Sequence, residues 1–288
     1  MHDAIRSMLS RYEFQSHEAY VNALREILQE VALLGLWRSK FFEHAAFYGG
    51  TALRVLYGLN RYSEDLDFSL LKPDASFSLS AYADALRREI SSFGFDAEFE
   101  RRQKSRTGQI ESAFLKTKTL NELIVIGISQ DLLRDLHPEK SLKIRLEVDT
   151  DPPGGFETET QYVLQPIPFS VRIFQLPDLF AGKLHAILCR KWKTRIKGRD
   201  WYDLVWYAGR HPRIHLIHLE SRMRQSGDYL NKEPLTPKRL QSLLRRTVDE
   251  LDVEKARQEV APYVMDPRAL EVWSTDFFRQ VITRIAPV

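Results

Sequence analysis

Residues 45–71 read AAFYGGTALRVLYGLNRYSEDLDFSLL, and this stretch decides the fold class. The apolar run at 45–48, closed by Gly49 and Gly50, predicts a strand followed by a tight turn. Residues 51–57 then predict a helix, and after a polar loop residues 65–71 predict a second strand. The stretch therefore predicts a strand, turn, helix and strand in immediate succession.

Two aspartates open the second of these strands. Because alternate residues of a strand point to the same face, Asp65 and Asp67 can converge while Leu66 and Phe68 turn into the core. Two adjacent carboxylates repel each other, and a divalent cation between them keeps both ionised. Oxygen ligands suit Mg²⁺, which also retains waters and substrate phosphates as ligands. The pattern therefore indicates a Mg²⁺ (or Mn²⁺) site that accepts a phosphorylated substrate.

The glycine pair complements such a metal site. Without side chains at Gly49 and Gly50, the backbone can approach a phosphate closely. The N–H groups that open the next helix can donate to that phosphate, and we expect the Thr51 hydroxyl to donate as well. Either motif alone is common as an ordinary turn or as a solvated strand end, whereas the ordered combination predicts a phosphate site.

A third carboxylate is expected on a neighbouring strand. Residues 142–149 alternate apolar and polar side chains, which puts Glu147 and Asp149 on one face. We favour Glu147 as the third acid and leave Asp149 open; an exposed Glu147 paired with Lys143 or Arg145 is the ordinary alternative. Three carboxylates can hold two metal ions about 3.5–4 Å apart, an arrangement that promotes in-line displacement at phosphorus.

The rest of the chain predicts two domains. A helical lead-in over residues 18–36 with a C-cap at Gly35, a helix over 80–93 and strands over 95–101, 110–116, 123–129 and 142–149 precede residue 175. Residues 162–174 predict edge or connecting structure, and a helix over about 177–192 begins a mainly helical remainder. The expected fold is α+β: a mixed β-sheet with flanking helices in residues 1–175, then a helical C-terminal domain in residues 176–288.

Four motifs together resemble the signature of the AbiEii/AbiGii-like nucleotidyltransferase toxins, which belong to the DNA polymerase β-type nucleotidyltransferase superfamily. They are Gly49-Gly50-Thr51, Arg61-Tyr62-Ser63-Glu64-Asp65-Leu66-Asp67-Phe68, Lys183-x-x-Ala186-x-x-x-Arg190 and Arg199-Asp200-x-x-Asp203-Leu204. The resemblance covers about residues 40–210. It implies an α/β nucleotidyltransferase domain followed by a helical domain, with a separate antitoxin as partner. Some members of that family transfer nucleotides to tRNA and so block translation.

The resemblance also assigns roles by position. It makes Asp65 and Asp67 the metal-binding pair, with Glu147 as third acid, and it makes Lys183 a contact for nucleotide phosphates. Asp200 and Asp203 match the final acidic motif, and their separate roles stay open. The residues that it implies for nucleotide binding share the glycine turn, the loop before the acidic pair and the lysine motif: Gly49, Gly50, Thr51, Arg61, Ser63, Lys183 and Arg190.

The region after residue 180 supports this interpretation independently. Lys183 and Arg190 lie at helical spacing, so a helix continuing through both would point them at one anion. The cations that follow are dense and suit the phosphates of an RNA, although a solvated face is the ordinary alternative. These expected RNA-binding residues are Lys191, Lys193, Arg195 and Lys197.

Composition sets the class of protein but not its activity. The chain has 288 residues, of which 43% are hydrophobic and 28% charged, and 42 Lys and Arg balance 39 Asp and Glu to leave +3. These values exclude disordered, collagen-like and disulfide-rich classes. The single cysteine, Cys189, indicates a reducing compartment, and the sequence shows neither a signal peptide nor a spanning segment. We therefore expect a cytoplasmic protein.

The expected activity is metal-dependent transfer of a nucleoside monophosphate from an NTP to a hydroxyl, with the 3′ end of a tRNA as the favoured acceptor and pyrophosphate as the leaving group. One alternative is a small-molecule nucleotidyltransferase of the antibiotic-modifying kind, or a protein-modifying variant of it. A second is a catalytically inactive binding module, against which the four charges Asp65, Asp67, Glu147 and Lys183 argue. The sequence leaves the nucleotide, the particular acceptor, the antitoxin and the oligomeric state open.

Overall fold

The computed structural model describes residues 3–13, 16–95, 97–101, 110–118, 141–190 and 196–288. Within these ranges lie the helices α1 (Asp3–Leu9), α2 (His17–Arg38), α3 (Gly49–Tyr57), α4 (Ala83–Ser92), α5 (Leu176–Cys189), α6 (Gly198–Arg210), α7 (Leu216–Gln225), α8 (Pro237–Asp249), α9 (Val253–Val260) and α10 (Thr275–Thr283). Short 3₁₀ turns precede β1 and α4 and flank residues 264–266. No helix in the described ranges is long and apolar enough to cross a membrane.

The strands form a mixed sheet and a small ladder. They are β1 (Ala45–Tyr48), β2 (Asp65–Leu70), β3 (Ala97–Arg101), β4 (Ile110–Lys118), β5 (Ser141–Asp149), β6 (Thr158–Val163), β7 (Phe169–Phe174), β8 (Arg213–Ile214) and β9 (Ala286–Pro287). The first seven build one sheet in the order β3-β4-β5-β2-β1-β7-β6, and β8 pairs with β9. This architecture confirms the predicted fold class, a mixed sheet with flanking helices and then a helical C-terminal region.

Strand β2 occupies the centre of the sheet. It pairs antiparallel with β1 and parallel with β5. Its apolar side chains face the core: Leu66 and Phe68 are fully buried, and Phe68 stacks on Phe47 of β1 with ring centroids 5.2 Å apart. The period-two pattern that predicted β2 therefore describes its burial from Asp65 to Phe68, whereas Ser69, on the face of the two aspartates, is buried as well.

Helix α2 corrects one sequence prediction. Gly35 does not cap this helix, which continues to Arg38 and ends at Ser39. A Cβ at Gly35 would lie 3.1 Å from Glu89 Cβ and 3.4 Å from Leu86 Cδ2 of α4. The glycine is explained by the close approach of α4, since a helix interior tolerates glycine where packing requires the space.

The region before residue 175 also differs in detail. Residues 162–174 contain the end of β6, at the edge of the sheet, and β7, an interior strand that pairs parallel with β1. The helix predicted over 80–93 divides into a 3₁₀ turn at Leu79–Tyr82 and α4. The strand predicted over residues 123–129 lies outside the described residues.

The described chain forms two compact units. One consists of Met1–Tyr57, Ser63–Pro152 and Thr160–Ile173; the other consists of Gly58–Tyr62, Pro153–Glu159 and Phe174–Val288. We keep the division near residue 175 as a proposal and add the two short segments, 58–62 and 153–159, to its C-terminal side.

The second unit is built around helices α5 and α6. Phe180 of α5 stacks on Tyr207 of α6 with ring centroids 4.3 Å apart, and Trp201 packs against Phe278 of α10 at 5.1 Å. Trp201 and Trp206 are both buried, so these aromatics belong to the core.

Helix α6 begins at a glycine in tight contact with α9. A Cβ at Gly198 would lie 1.9 Å from the carbonyl oxygen of Ala256. We expect Gly198→Ala to lower the free energy of unfolding by about 1–3 kcal/mol, because the backbone of α9 must move. Gly209 lies in the same helix with nothing within 4 Å of its Cβ position, so Gly209→Ala should leave stability unchanged or slightly raised. Urea unfolding of both variants tests this; equal stabilities would contradict the contact.

Candidate active site

The register between β2 and β5 brings the predicted acids together. Asp67 pairs with Glu147 and Asp65 pairs with Arg145 across this parallel ladder. Their neighbours Leu66, Phe68, Leu146 and Val148 are fully buried, so the charged side chains share the opposite, partly exposed face. Three carboxylates from two strands therefore lie at one place on the sheet: Asp65, Asp67 and Glu147.

The register also separates the two candidates for the third acid. Asp149 pairs with Ser69, one step along the same face from the Asp67 and Glu147 pair. Its carboxylate accepts the Asp151 backbone N–H at 3.1 Å, which is a turn-forming contact. Glu147 is therefore the acid beside Asp67, and its role in metal binding stays a prediction.

Gly49 leaves the space next to the Asp67 carboxylate free of a side chain. Its φ of +85° is a conformation that favours glycine, and a Cβ at this position would lie 2.3 Å from Asp67 Oδ2. Gly49 also begins α3, so the backbone that opens this helix passes directly over the carboxylate. The glycine is thus required by Asp67 itself, whether or not a phosphate binds there.

Thr51 has a different partner from the one predicted. Its side chain is fully buried, and its hydroxyl donates a hydrogen bond to the backbone carbonyl of Asp65. The donor is therefore engaged within the protein, and we revise the predicted triphosphate contact. Thr51 is a positioning residue that ties α3 to the start of β2.

Arg145 is a neighbour of the acids. The sequence suggested it only as an ordinary ion-pair partner of an exposed Glu147. Its Nη1 lies 3.1 Å from Glu147 Oε1, and its Nε lies 3.9 Å from Asp65 Oδ1. Burial alone would lower the pKa of Arg145, but Asp65 and Glu147, with Asp67 contributing, raise it above its ordinary value. Arg145 is thus a cation in ion-pair contact with Glu147 and Asp65, and Asp67 adds a weaker electrostatic attraction.

The donor set fits a divalent metal. Carboxylate oxygens are hard ligands of the kind that Mg²⁺ and Mn²⁺ take, and Asp65 and Glu147 are about one-third exposed, so an ion can reach them. The ligand oxygens of the three acids are not all within 4.8 Å of one another. Arg145 lies against two of these acids, 3.1 Å from Glu147 and 3.9 Å from Asp65.

The later motif residues form a buried ion cluster in the second unit. Arg61 donates to both oxygens of Asp203 at 2.7 and 2.6 Å, and Lys183 Nζ lies 2.7 Å from both Asp203 Oδ2 and Asp200 Oδ1. All four side chains are nearly inaccessible. Two acids and two bases balance, which is how a protein tolerates buried charge.

Electrostatics keep this cluster ionised. Burial works against charge on Asp200, but Lys183, with Lys197 and Arg190, lowers the pKa of Asp200 to about 2. Arg61 and Lys183 likewise overcome burial and lower the pKa of Asp203. Both acids are therefore carboxylates at neutral pH.

These contacts revise the predicted role of Arg61. Its guanidinium donates to Asp203 and to the Tyr62 carbonyl at 2.9 Å, and the side chain is 3% exposed, so direct phosphate contact is not available to it.

Ser63 is buried too, and its carbonyl accepts a hydrogen bond from Gln29 Nε2 of α2 at 3.0 Å. Sequence reasoning missed Gln29, because its contact spans 34 residues and leaves no local pattern. The catalytic roles of Lys183, Asp200 and Asp203 stay predictions.

The structure describes only part of the basic segment that follows α5, residues 190–197. Helix α5 ends at Cys189, and Arg190 is extended, so the prediction that one helix carries both Lys183 and Arg190 on a face is wrong. Arg190 is exposed, and Lys197 precedes α6. Lys191, Lys193 and Arg195 lie outside the described residues, so their role in RNA binding is carried by the sequence alone.

A second group of ligating side chains lies in the second unit. The ligand atoms of His185, Cys189 and Asp228 lie within 4.8 Å of one another. Ser226 Oγ already links His185 Nε2 at 3.0 Å to Asp228 Oδ2 at 2.7 Å. Burial, with Arg222 and Arg190, lowers the pKa of His185 to about 4. The hydrogen bonds and the two arginines favour a neutral His185 in a polar network over a cation site.

The Thr51 contact yields a test of its role. We expect Thr51→Val to lower the free energy of unfolding by about 1–2 kcal/mol, because the partly buried Asp65 carbonyl loses this hydroxyl donor. Thr51→Ser retains the hydroxyl and should recover much of that stability. Urea unfolding compares them; a Thr51→Val protein of unchanged stability would contradict the positioning role.

Comparison with known proteins places the chain in a family. The family model of the nucleotidyl transferase AbiEii toxin, Type IV toxin–antitoxin system, matches residues 31–280. No curated protein matches the chain. Among solved structures, MenT4, a nucleotidyltransferase toxin from Mycobacterium tuberculosis H37Rv, is 18% identical with a TM-score of 0.58 over 97% of this chain and 89% of its own.

A protein from H. pylori described as a nucleotidyltransferase is 19% identical, with a TM-score of 0.50 over 90% of this chain and 89% of its own. At these identities the two structures show the shared fold. The family match extends over most of the sequence and includes the acidic strand, the glycine turn and both later motifs. The chain is therefore a nucleotidyltransferase and belongs to the AbiEii toxin family of Type IV toxin–antitoxin systems.

Proposed function

We propose that this nucleotidyltransferase uses a divalent metal to move a nucleoside monophosphate from an NTP onto an RNA, with the tRNA 3′ end as acceptor. The observation that carries the proposal is the register of β2 with β5, which puts Asp65, Asp67 and Glu147 at one place on the sheet under the glycine turn. Blocking translation by this transfer would account for toxicity, and a cognate antitoxin is the expected partner.

The chemistry follows from the residues. The acceptor hydroxyl gives its proton to solvent water and its oxygen bonds to the α-phosphorus, while the bond from that phosphorus to the oxygen bridging the α- and β-phosphates breaks and pyrophosphate leaves with that oxygen. A bound Mg²⁺ or Mn²⁺ would acidify the hydroxyl and neutralise the triphosphate. Asp65, Asp67 and Glu147 would hold that metal, and the backbone at Gly49 and Gly50 would contact the phosphates.

The RNA acceptor rests on charge and on the family resemblance. Four cations at 191–197 suit a polyanion, and some members of the resembled family modify tRNA. A small molecule or a protein as acceptor would use the same acids without needing these cations, so the acceptor is settled by experiment.

The first experiment tests the acids. We expect Asp67→Asn to reduce transfer at least about 10²-fold, because the charge that holds the metal is lost. Purified proteins are incubated with Mg²⁺, each labelled NTP in turn and total tRNA. Asp149→Asn is the matched control, since it removes the same charge one step along the same face, and it should retain activity.

Circular dichroism and thermal unfolding show whether each variant is folded. A folded Asp67→Asn enzyme of near-normal activity would refute the metal site. Label that never reaches tRNA with any NTP would refute the acceptor and bring the small-molecule and protein acceptors forward.

A second experiment tests RNA contact by the basic segment. Replacing Lys191, Lys193 and Arg195 by Gln should weaken tRNA binding and reduce the slope of log K against log salt by about 2, since each lost phosphate contact removes about 0.7. Lys197 is left intact because it acts on Asp200. Replacing the exposed Lys238, Arg239 and Arg245 of α8 removes the same charge and is expected to leave the slope unchanged. A fall in slope with both triple variants would show that these cations act through net charge alone.

A further inference from the structure

Arg145 lies against two of the three carboxylates that would hold the proposed metal. It lies on β5 opposite Asp65, and its guanidinium contacts carboxylates of both strands, Glu147 at 3.1 Å and Asp65 at 3.9 Å. Arg145 Nη1 donates to Glu147 Oε1, an oxygen of the carboxylate proposed as the third metal ligand. The arginine and a metal ion would therefore compete for the same carboxylates.

Because of charge, this competition differs between a metal ion that binds alone and one that binds together with a triphosphate. Asp65, Asp67 and Glu147 contribute three negative charges, and Arg145 cancels one of them. A metal ion arriving alone must displace the guanidinium and leave it without a counter-ion. A metal ion arriving with a triphosphate brings anionic oxygens, which a guanidinium binds well through its planar array of donors.

We propose that Arg145 is the resident counter-cation of the acidic centre, that a divalent ion displaces it, and that the displaced guanidinium then contacts the triphosphate that arrives with the ion. The inference rests on the proposed metal-dependent function. Arg145 is thus a coupling residue: it disfavours the metal alone and favours the metal with its nucleotide.

The proposal predicts that two affinities move in opposite directions. Arg145→Gln should bind free Mn²⁺ about three- to tenfold more tightly, because a competing cation a few ångströms from the ion is gone. The same variant, saturated with Mn²⁺, should bind inorganic triphosphate about tenfold more weakly, because a charged donor to phosphate is lost. Inorganic triphosphate is the probe because it needs no knowledge of the base.

Mn²⁺ binding is measured on the full chain by the electron paramagnetic resonance of the free ion, and triphosphate binding by calorimetry. Lys143→Gln is the matched control: Lys143 is exposed on the same strand two residues earlier, and its replacement removes the same charge. It should leave both affinities within about twofold, since screening weakens a charge farther from the ion. Arg145→Lys keeps the charge without the planar donors and should retain weak Mn²⁺ binding but lose triphosphate affinity.

The outcomes separate this inference from the function on which it rests. If the wild type binds Mn²⁺ and Arg145→Gln binds it with the same affinity, the displacement is overturned and the metal site stands. Tighter binding of both Mn²⁺ and triphosphate by Arg145→Gln overturns the phosphate contact. Absence of Mn²⁺ binding by the wild type and both arginine variants overturns the metal site and this inference together. Thermal unfolding shows whether each variant is folded. If Arg145→Gln fails to fold, the affinities of Arg145→Lys for Mn²⁺ and triphosphate decide the proposal.

Discussion

The candidate site depends on the register of one interior strand. Strand β2 is held between β1 and β5, with Asp67 opposite both Tyr48 and Glu147. A slip of one residue would turn Asp65 and Asp67 into the core and expose Leu66 and Phe68, which are fully buried. Burial of the apolar face therefore fixes the acids on the other face. The stability of the sheet and the geometry of the acidic centre are consequences of the same pairing.

Several parts of the site could be predicted because their signals are local. Alternation along a strand fixes which residues share a face, so the pair Asp65 and Asp67 follows from the sequence, as does the tight turn at Gly49. The sequence predicted that Gly49 makes room for a phosphate, whereas the side chain that it makes room for in the structure is Asp67. Alternation also placed Glu147 and Asp149 on one face. Only the pairing of β5 with β2 distinguishes them, and register between strands about 80 residues apart leaves no trace in either strand alone.

Other parts could not be predicted, because a residue's type does not say what it faces. Thr51 and Arg61 are the residue types that bind phosphate, yet Thr51 donates to the Asp65 carbonyl and Arg61 to Asp203. A hydroxyl or guanidinium serves equally well as a substrate ligand or as a buried scaffold contact, and only burial and partners decide. Gln29 shows the converse, since nothing near it in sequence indicates that it holds the loop before the acids.

The cluster of Arg61, Asp203, Lys183 and Asp200 has a consequence for dividing the protein. Arg61 belongs to the five-residue segment Gly58–Tyr62, which the chain inserts into the second unit between α3 and β2. A fragment that ended near residue 175 would carry Arg61 without the carboxylate that neutralises it, only four residues before Asp65. Such truncation removes the buried ion pair of Arg61 with Asp203, whose two partners lie on opposite sides of the cut. The two units are therefore poor candidates for separate expression. The segment Gly58–Tyr62, which in sequence looks like a loop between α3 and β2, carries an ion pair that only the intact chain can form.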